Sequence, residues 1–141
     1  MMKWLEVNFV DDSGQVVGHL SGVVCEQIEE VFTGMGMGTD KDLMSKWESR
    51  IPGGFKFPCA VLSQISVYEG FEDQGFGSKG VKKFNKLAIS AGCVMAVVRV
   101  GWSGDPISEK KRKNLHFYKK TGWSYGEQQN EYQQYLGYRY Y

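Results

Sequence analysis

Glycines at positions 70, 75 and 77, with Ser78 and Lys79 directly after, sit where an apolar stretch gives way to a helical pattern. Ala60 to Val67 is apolar and β-branched enough for a strand with a buried face. From Ser78 onward, Val81, Phe84, Leu87, Ala88 and Ala91 fall along one side of a helix. A strand that runs through a glycine-rich turn into a helix start is an anion cradle. Unpaired N–H groups at the helix N-terminus point at the ligand, and glycine lets a phosphate approach the main chain. Lys79, Lys82, Lys83 and Lys86 follow the turn, and Lys110, Lys111, Arg112, Lys113, Lys119 and Lys120 form a second basic run. Such clusters attract phosphates; a solvated helix face accounts for either run equally well.

Other chemistries fit poorly. The three cysteines, Cys25, Cys59 and Cys93, are widely spaced and each lies in an apolar stretch, which predicts buried reduced thiols in a cytoplasmic protein. No pair has metal-ligand spacing, and with only His19 and His116 no metal site is expected. Thr33-Gly34-Met35-Gly36-Met37-Gly38 lacks the Gly-Lys-Ser/Thr of a phosphate loop and reads as a mobile flap or a surface excursion. Lys and Arg number 17 against 16 Asp and Glu, so net charge points to no nucleic-acid partner. The N-terminus carries no long apolar run, so neither a leader nor a membrane span is expected.

The elements that must position the cradle follow in order. Lys3 to Val10 alternates, with Leu5, Val7 and Phe9 on one face, and Asp11-Asp12-Ser13-Gly14 is strong turn chemistry. Gln15 to Cys25 completes a hairpin, and Gly18 and Gly22 suggest a bulge or bend in it. Residues 26 to 57 read as a non-regular excursion. Within it Glu26 to Phe32 extends the strand or forms a helical turn, and Asp40 to Arg50 forms a short helix on Leu43, Met44 and Trp47. After the central strand, turn and helix, Gly92 caps the helix end. Cys93 to Val100 reads as a strand covered on both faces. Ser108 is a good N-cap for a helix over Glu109 to Thr121, closed by Gly122. Strands near Trp123 to Gln128 and Tyr132 to Tyr140 finish one mixed α/β domain over residues 1 to 141. The tyrosine-rich end suits an acceptor groove, a homodimer interface or a covered sheet edge.

With the second helix in place the chain resembles the GNAT acetyltransferase superfamily. Two motifs carry the resemblance. Glu72-Asp73-Gln74-Gly75-Phe76-Gly77, followed by Ser78, is similar to the acyl-coenzyme A (CoA) loop. Phe117-Tyr118-Lys119-Lys120-Thr121-Gly122-Trp123 is similar to the aromatic-Tyr-x-x-x-Gly-aromatic ending of the last helix. The hairpin with Gly14, Gln15, Val16, Val17 and Gly18 looks like the family's early strand pair. The sequence departs from the pattern at Glu72, where the family prefers Arg or Gln, and at Gly80, where a leucine usually packs the helix. A third departure is Lys111, where an asparagine is common and where this chain has Asn114 further along.

The resemblance implies a mixed, mostly antiparallel sheet with helices on both faces, an α+β fold. It implies an N-acetyltransferase that moves an acetyl group from acetyl-CoA to an amine by direct transfer, without a metal. Amides from Gln74, Gly75, Phe76, Gly77, Ser78 and Lys79 would bind the pyrophosphate, with Lys79, Lys82 or Lys83 reaching a phosphate and Asn114 nearby. Ile65, Ser66 and Val67 would bond the pantetheine arm, and an N–H near Val67 would stabilise the oxyanion. Tyr118 would serve the departing thiolate as proton or hydrogen-bond donor. The amine acceptor is open, and so is the general base: Glu26, Glu29, Glu69 or a water chain. His19 and His116 read as structural. Two other readings stand beside this one: a GNAT-shaped binding module without catalysis, and an RNA-linked acceptor or nucleic-acid contact through residues 110 to 113.

Overall fold

The computed structural model describes residues 3–37, 41–100, 109–129 and 135–141, without the side chains of residues 50, 109–114 and 127–129. The order is β1 (Lys3–Val10), β2 (Val16–Cys25), α1 (Ile28–Gly34), α2 (Lys41–Arg50), β3 (Cys59–Val67), α3 (Phe76–Ser90), β4 (Met95–Val100), α4 (Glu109–Lys120), β5 (Ser124–Gln129) and β6 (Tyr135–Tyr140). The strands form one sheet in the order β1-β2-β3-β4-β6-β5, antiparallel throughout except for the parallel β3–β4 pair. This is the α+β mixed sheet expected.

Local chemistry starts the hairpin. The Asp11 carboxylate accepts from the Ser13 and Gln15 amides at 3.0 and 2.9 Å and from the Ser13 hydroxyl at 2.7 Å. These bonds hold its pKa below the ordinary value, the Ser13 hydroxyl contributing most.

The pleat sends alternate residues to two cores. Leu5, Val7, Phe9, Leu20, Ala60, Leu62 and Val98 pack under α3 and α4, against Val81, Phe84 and Tyr118. Val23, Cys25, Cys59, Val61, Met95 and Val97 pack under α1 and α2, against Phe32, Met44 and Trp47. The stretch over residues 26 to 57 is therefore not irregular. It holds two helices, pinned by Phe32 on Trp47 at 5.9 Å and on Phe55 at 6.1 Å. Short helices draw their stability from such packing rather than from propensity.

Gly80 likewise has a packing reason. A Cβ there would lie 2.1 Å from Phe9 Cε1, so the missing side chain is the seat of the β1 aromatic. All three thiols are buried and free. Burial pushes Cys25 up to about 12 and Cys93 up to about 11, and raises Cys59 further still.

The terminal tyrosines bond within the chain. Tyr140 donates to the carbonyls of Pro52 and Gly54 at 2.6 and 2.7 Å, and Tyr141 donates to Asn85 Oδ1 at 2.5 Å. Among the described residues no helix is long and apolar enough to cross a membrane, and no cluster of His, Cys, Asp and Glu could hold a metal.

Candidate functional site

The site begins with an extra residue in β3. Leu62 pairs with Gly22 and Gln64 with Ser21, so Ser63 has no cross-strand partner on β2. A bulge bends the strand that carries it. Here the bend falls where the β3–β4 ladder ends, at Leu62 opposite Val98. The glycines of β2 had pointed to a bulge in this hairpin, and one is present beside Gly18. The β1–β2 register skips Val17 between the Phe9–Gly18 and Val10–Val16 pairs, while the extra residue opposite Gly22 lies on β3. The Ser63 hydroxyl fixes the kink to α1 by donating to the Gly34 carbonyl at 2.8 Å. Past Ser63, the β4-facing edge of β3 has no ladder partner among the described residues.

The turn after β3 is built by backbone chemistry. Phe71 N–H donates to the Tyr68 carbonyl, and Gly70 N–H donates to the Glu72 carboxylate, both at 3.0 Å. Gly70, Asp73 and Gly75 take positive φ of 91°, 62° and 84°. Gly75 caps α3 without a side-chain bond. The helix opens at Phe76, earlier than the Ser78 start its apolar period suggests, and its first bond runs from Lys79 N–H to the Gly75 carbonyl at 3.1 Å. The Lys79 amide is thus committed to the helix, and the free donors of the first turn are those of Phe76, Gly77 and Ser78.

Those donors open into a cleft of about 550 Å³ between the end of β3, the turn and α4. Ile65, Val67, Phe71, Phe76 and Phe117 give it apolar walls, and Glu72, Asp73, His116 and Lys120 stand at its polar parts. Gly77 lets α3 approach α4 closely, since a Cβ there would lie 3.3 Å from the Phe117 ring. An apolar channel leading to unpaired amides fits a ligand with a thin amide-bearing arm and a phosphorylated head.

Of the expected site residues, Ile65, Val67, Gly75, Phe76, Gly77 and Ser78 line this one cleft. Ser66 instead stands opposite His19 in the β2–β3 register, on the alternate face from Ile65 and Val67. Gln74 and Lys79 line a separate groove of about 340 Å³ beside Asp11 and Asp12 of the hairpin turn. The side chain of Asn114, the side chains of Lys110 to Lys113, and Ser108 lie outside the described residues.

Tyr118 lies beneath the cleft wall. It is 6% exposed and packs edge-on against Phe117 at 5.0 Å and Trp123 at 5.8 Å. Burial raises its pKa, so the phenol is a protonated donor at neutral pH. Phe117 and His116 take the lining instead, with Lys120 one turn on. At ~100° per residue this arc turns Tyr118 inward. The sequence marks α4 as the wall, but its rotation depends on which aromatic the core accepts. The carboxylate of Glu30, in the first turn of α1, accepts the Glu26 amide at 2.8 Å and ties the end of β2 to that helix.

No family model and no curated protein sequence matches the chain. Solved structures do. The PaiA N-acetyltransferase from Thermoplasma acidophilum, solved in complex with coenzyme A, superposes with a TM-score of 0.60 at 11% identity, over 98% of this chain and 61% of that one. An aminoglycoside 6′-acetyltransferase type Ii gives 0.61 at 13% identity, over 97% and 68%. A GNAT-family acetyltransferase from Staphylococcus aureus Mu50 gives 0.59 at 10% identity, also over 97% and 68%. The fold of this chain is therefore the GNAT acetyltransferase fold.

Proposed function

We propose that the chain is a cytoplasmic acyl-CoA-dependent N-acetyltransferase, with acetyl-CoA as donor and an amine as acceptor. The observation that carries this reading is the parting of β3 from β4 at the Ser63 bulge, where the cleft runs into the open N-terminus of α3. The pantetheine arm lies along Ile65 to Val67, and the pyrophosphate takes the amides of Phe76, Gly77 and Ser78. The acceptor nitrogen attacks the thioester carbonyl, a C–N bond forms, and an N–H near Val67 holds the oxyanion. The C–S bond then breaks, and Tyr118 gives the thiolate a proton that the ammonium's proton, released to a base or water, replaces. Glu72 engages the Gly70 amide and stabilises the turn, which leaves the phosphates to the backbone.

A second reading, a cofactor-binding module without turnover, has one observation in its favour: Tyr118 lies behind the cleft lining. Two assays separate these readings. Acetyl-CoA raises the melting temperature under both, and no shift at millimolar ligand removes both. Thiol release across a panel of amines occurs only under the first.

A further inference from the structure

β4 is buried at every position except Arg99. Met95 and Val97, on the same side of the strand, belong to the core under α1 and α2, as does Leu136, paired opposite Arg99 on β6. Arg99 therefore stands on the α1–α2 face of the sheet. The donor cleft is on the other face, where Ile65 and Val67 line it. Arg99 Nη2 reaches the turn after α1, 3.8 Å from the place a Cβ on Gly36 would take. That turn is held in place. Gly36 N–H donates to the Thr33 carbonyl and Met37 N–H to the Phe32 carbonyl, both at 2.9 Å, and Ser63 secures Gly34.

Position along the strand matters as much as the face. Leu62 opposite Val98 is the last β3–β4 pair, so Arg99 is the first β4 residue past the parting. A gap between diverging strands opens to both faces of a sheet, so an amine on the Arg99 side can meet a thioester held on the other. Beside the gap, the pairs Gln64–Ser21 and Ser66–His19 offer hydrogen-bonding side chains and no carboxylate.

Arg99 also lacks a charge partner. Although it reaches solvent, the surrounding protein desolvates the guanidinium enough to lower its pKa, and neither a carboxylate nor a second cation among the described residues acts on it. A guanidinium is a rigid planar fork that matches a carboxylate through two parallel hydrogen bonds. A lone fork of this kind balances a monoanion, whereas a polyamine on this face would be repelled.

We infer that Arg99 anchors the carboxylate of the acceptor, which is thus an amino carboxylate entering from the α1–α2 face. The inference rests on the proposed function and gives its acceptor a chemical class. Arg99 holds the acceptor by one end while the amine at the other end reaches the gap. The nitrogen gains the acetyl group and gives up a proton, coenzyme A leaves as the thiol, and the carboxylate is unchanged. Arg99 sets specificity, away from the reacting atoms.

The test follows thiol release by the full chain with acetyl-CoA and matched acceptors: L-α-amino acids and γ-aminobutyrate, each beside its carboxamide, with putrescine as a polycation. At least one amino carboxylate is expected to exceed its carboxamide roughly tenfold in kcat/KM, and to exceed putrescine. Two neutral variants, Arg99→Gln and Arg99→Met, with folding checked by melting curves, are expected to bring that ratio to about one through KM rather than kcat. Arg99→Lys should keep part of it. In wild type, butyrate should compete with the acceptor roughly tenfold better than butyramide, a comparison that needs no variant. Carboxamides or putrescine turned over as well as every amino carboxylate, a preference that persists in a folded neutral variant, or equal inhibition by butyrate and butyramide overturns the inference and leaves the proposed function standing. No thiol release from any acceptor, while acetyl-CoA still raises the melting temperature, overturns the inference and leaves the binding module. No melting shift with acetyl-CoA brings down the proposed function, and the inference with it.

Discussion

Gly80→Ala should destabilise the fold, although the change favours a helix. Alanine is better than glycine inside a helix by about 1 kcal/mol, and a leucine would match the family resemblance at this position. Against this, the new Cβ would lie 2.1 Å from Cε1 and 2.5 Å from Cζ of Phe9. That ring is 4% exposed and belongs to the core beneath α3, so it cannot swing into water without cost. Overpacking of this kind costs about 1–3 kcal/mol, which leaves a net loss of about 1 kcal/mol after the helix gain. Urea unfolding should show a lower midpoint at unchanged slope, and melting should fall by a few degrees, on the order of 3–5 °C per kcal/mol for a chain this size. Phe9→Leu removes the obstructing ring atoms, so Gly80→Ala should cost less in that background, with a coupling of about 1 kcal/mol. Stabilisation by the single variant, or additivity in the pair, would refute the claim that Phe9 fills the missing side chain.

Tyr118→Phe should lower turnover with amine acceptors at least tenfold while acetyl-CoA affinity stays within twofold, since only the buried hydroxyl is lost; a proportional loss of affinity would reject the assigned role. The buried thiols set an alkaline limit. Each is neutral in the native chain, with its pKa raised by burial above the ordinary 9.0. Their contribution is thus fully present below pH 9 and falls as pH rises toward about 11 for Cys93 and about 12 for Cys25. Urea midpoints should drop across that window and do so less in Cys25→Ala or Cys93→Ala; a flat profile would contradict the burial.

Much of the frame was legible because its signals are local. Alternation of Leu5, Val7 and Phe9 gives β1, Asp11 and Gly14 give the turn, and Val81, Phe84 and Ala88 give α3. What escaped depends on partners distant in sequence. The bulge residue Ser63 is defined only by the register between β2 and β3. The helix α2 was legible in Leu43, Met44 and Trp47, but α1 is short and rests on Phe32 against Trp47, so its sequence reads equally as strand or helical turn. The rotation of α4 put Phe117 and His116 on the cleft and Tyr118 in the core. Asn85 reads as an ordinary helix residue until Tyr141, from the other end of the chain, takes its oxygen.

The most direct test is a titration of the isotope-labelled chain with acetyl-CoA, followed through backbone amide resonances. The account predicts saturable shifts concentrated at Ile65 to Val67 and at Phe76, Gly77 and Ser78. No shifts at millimolar ligand, or saturable shifts confined to other parts of the chain, would contradict it.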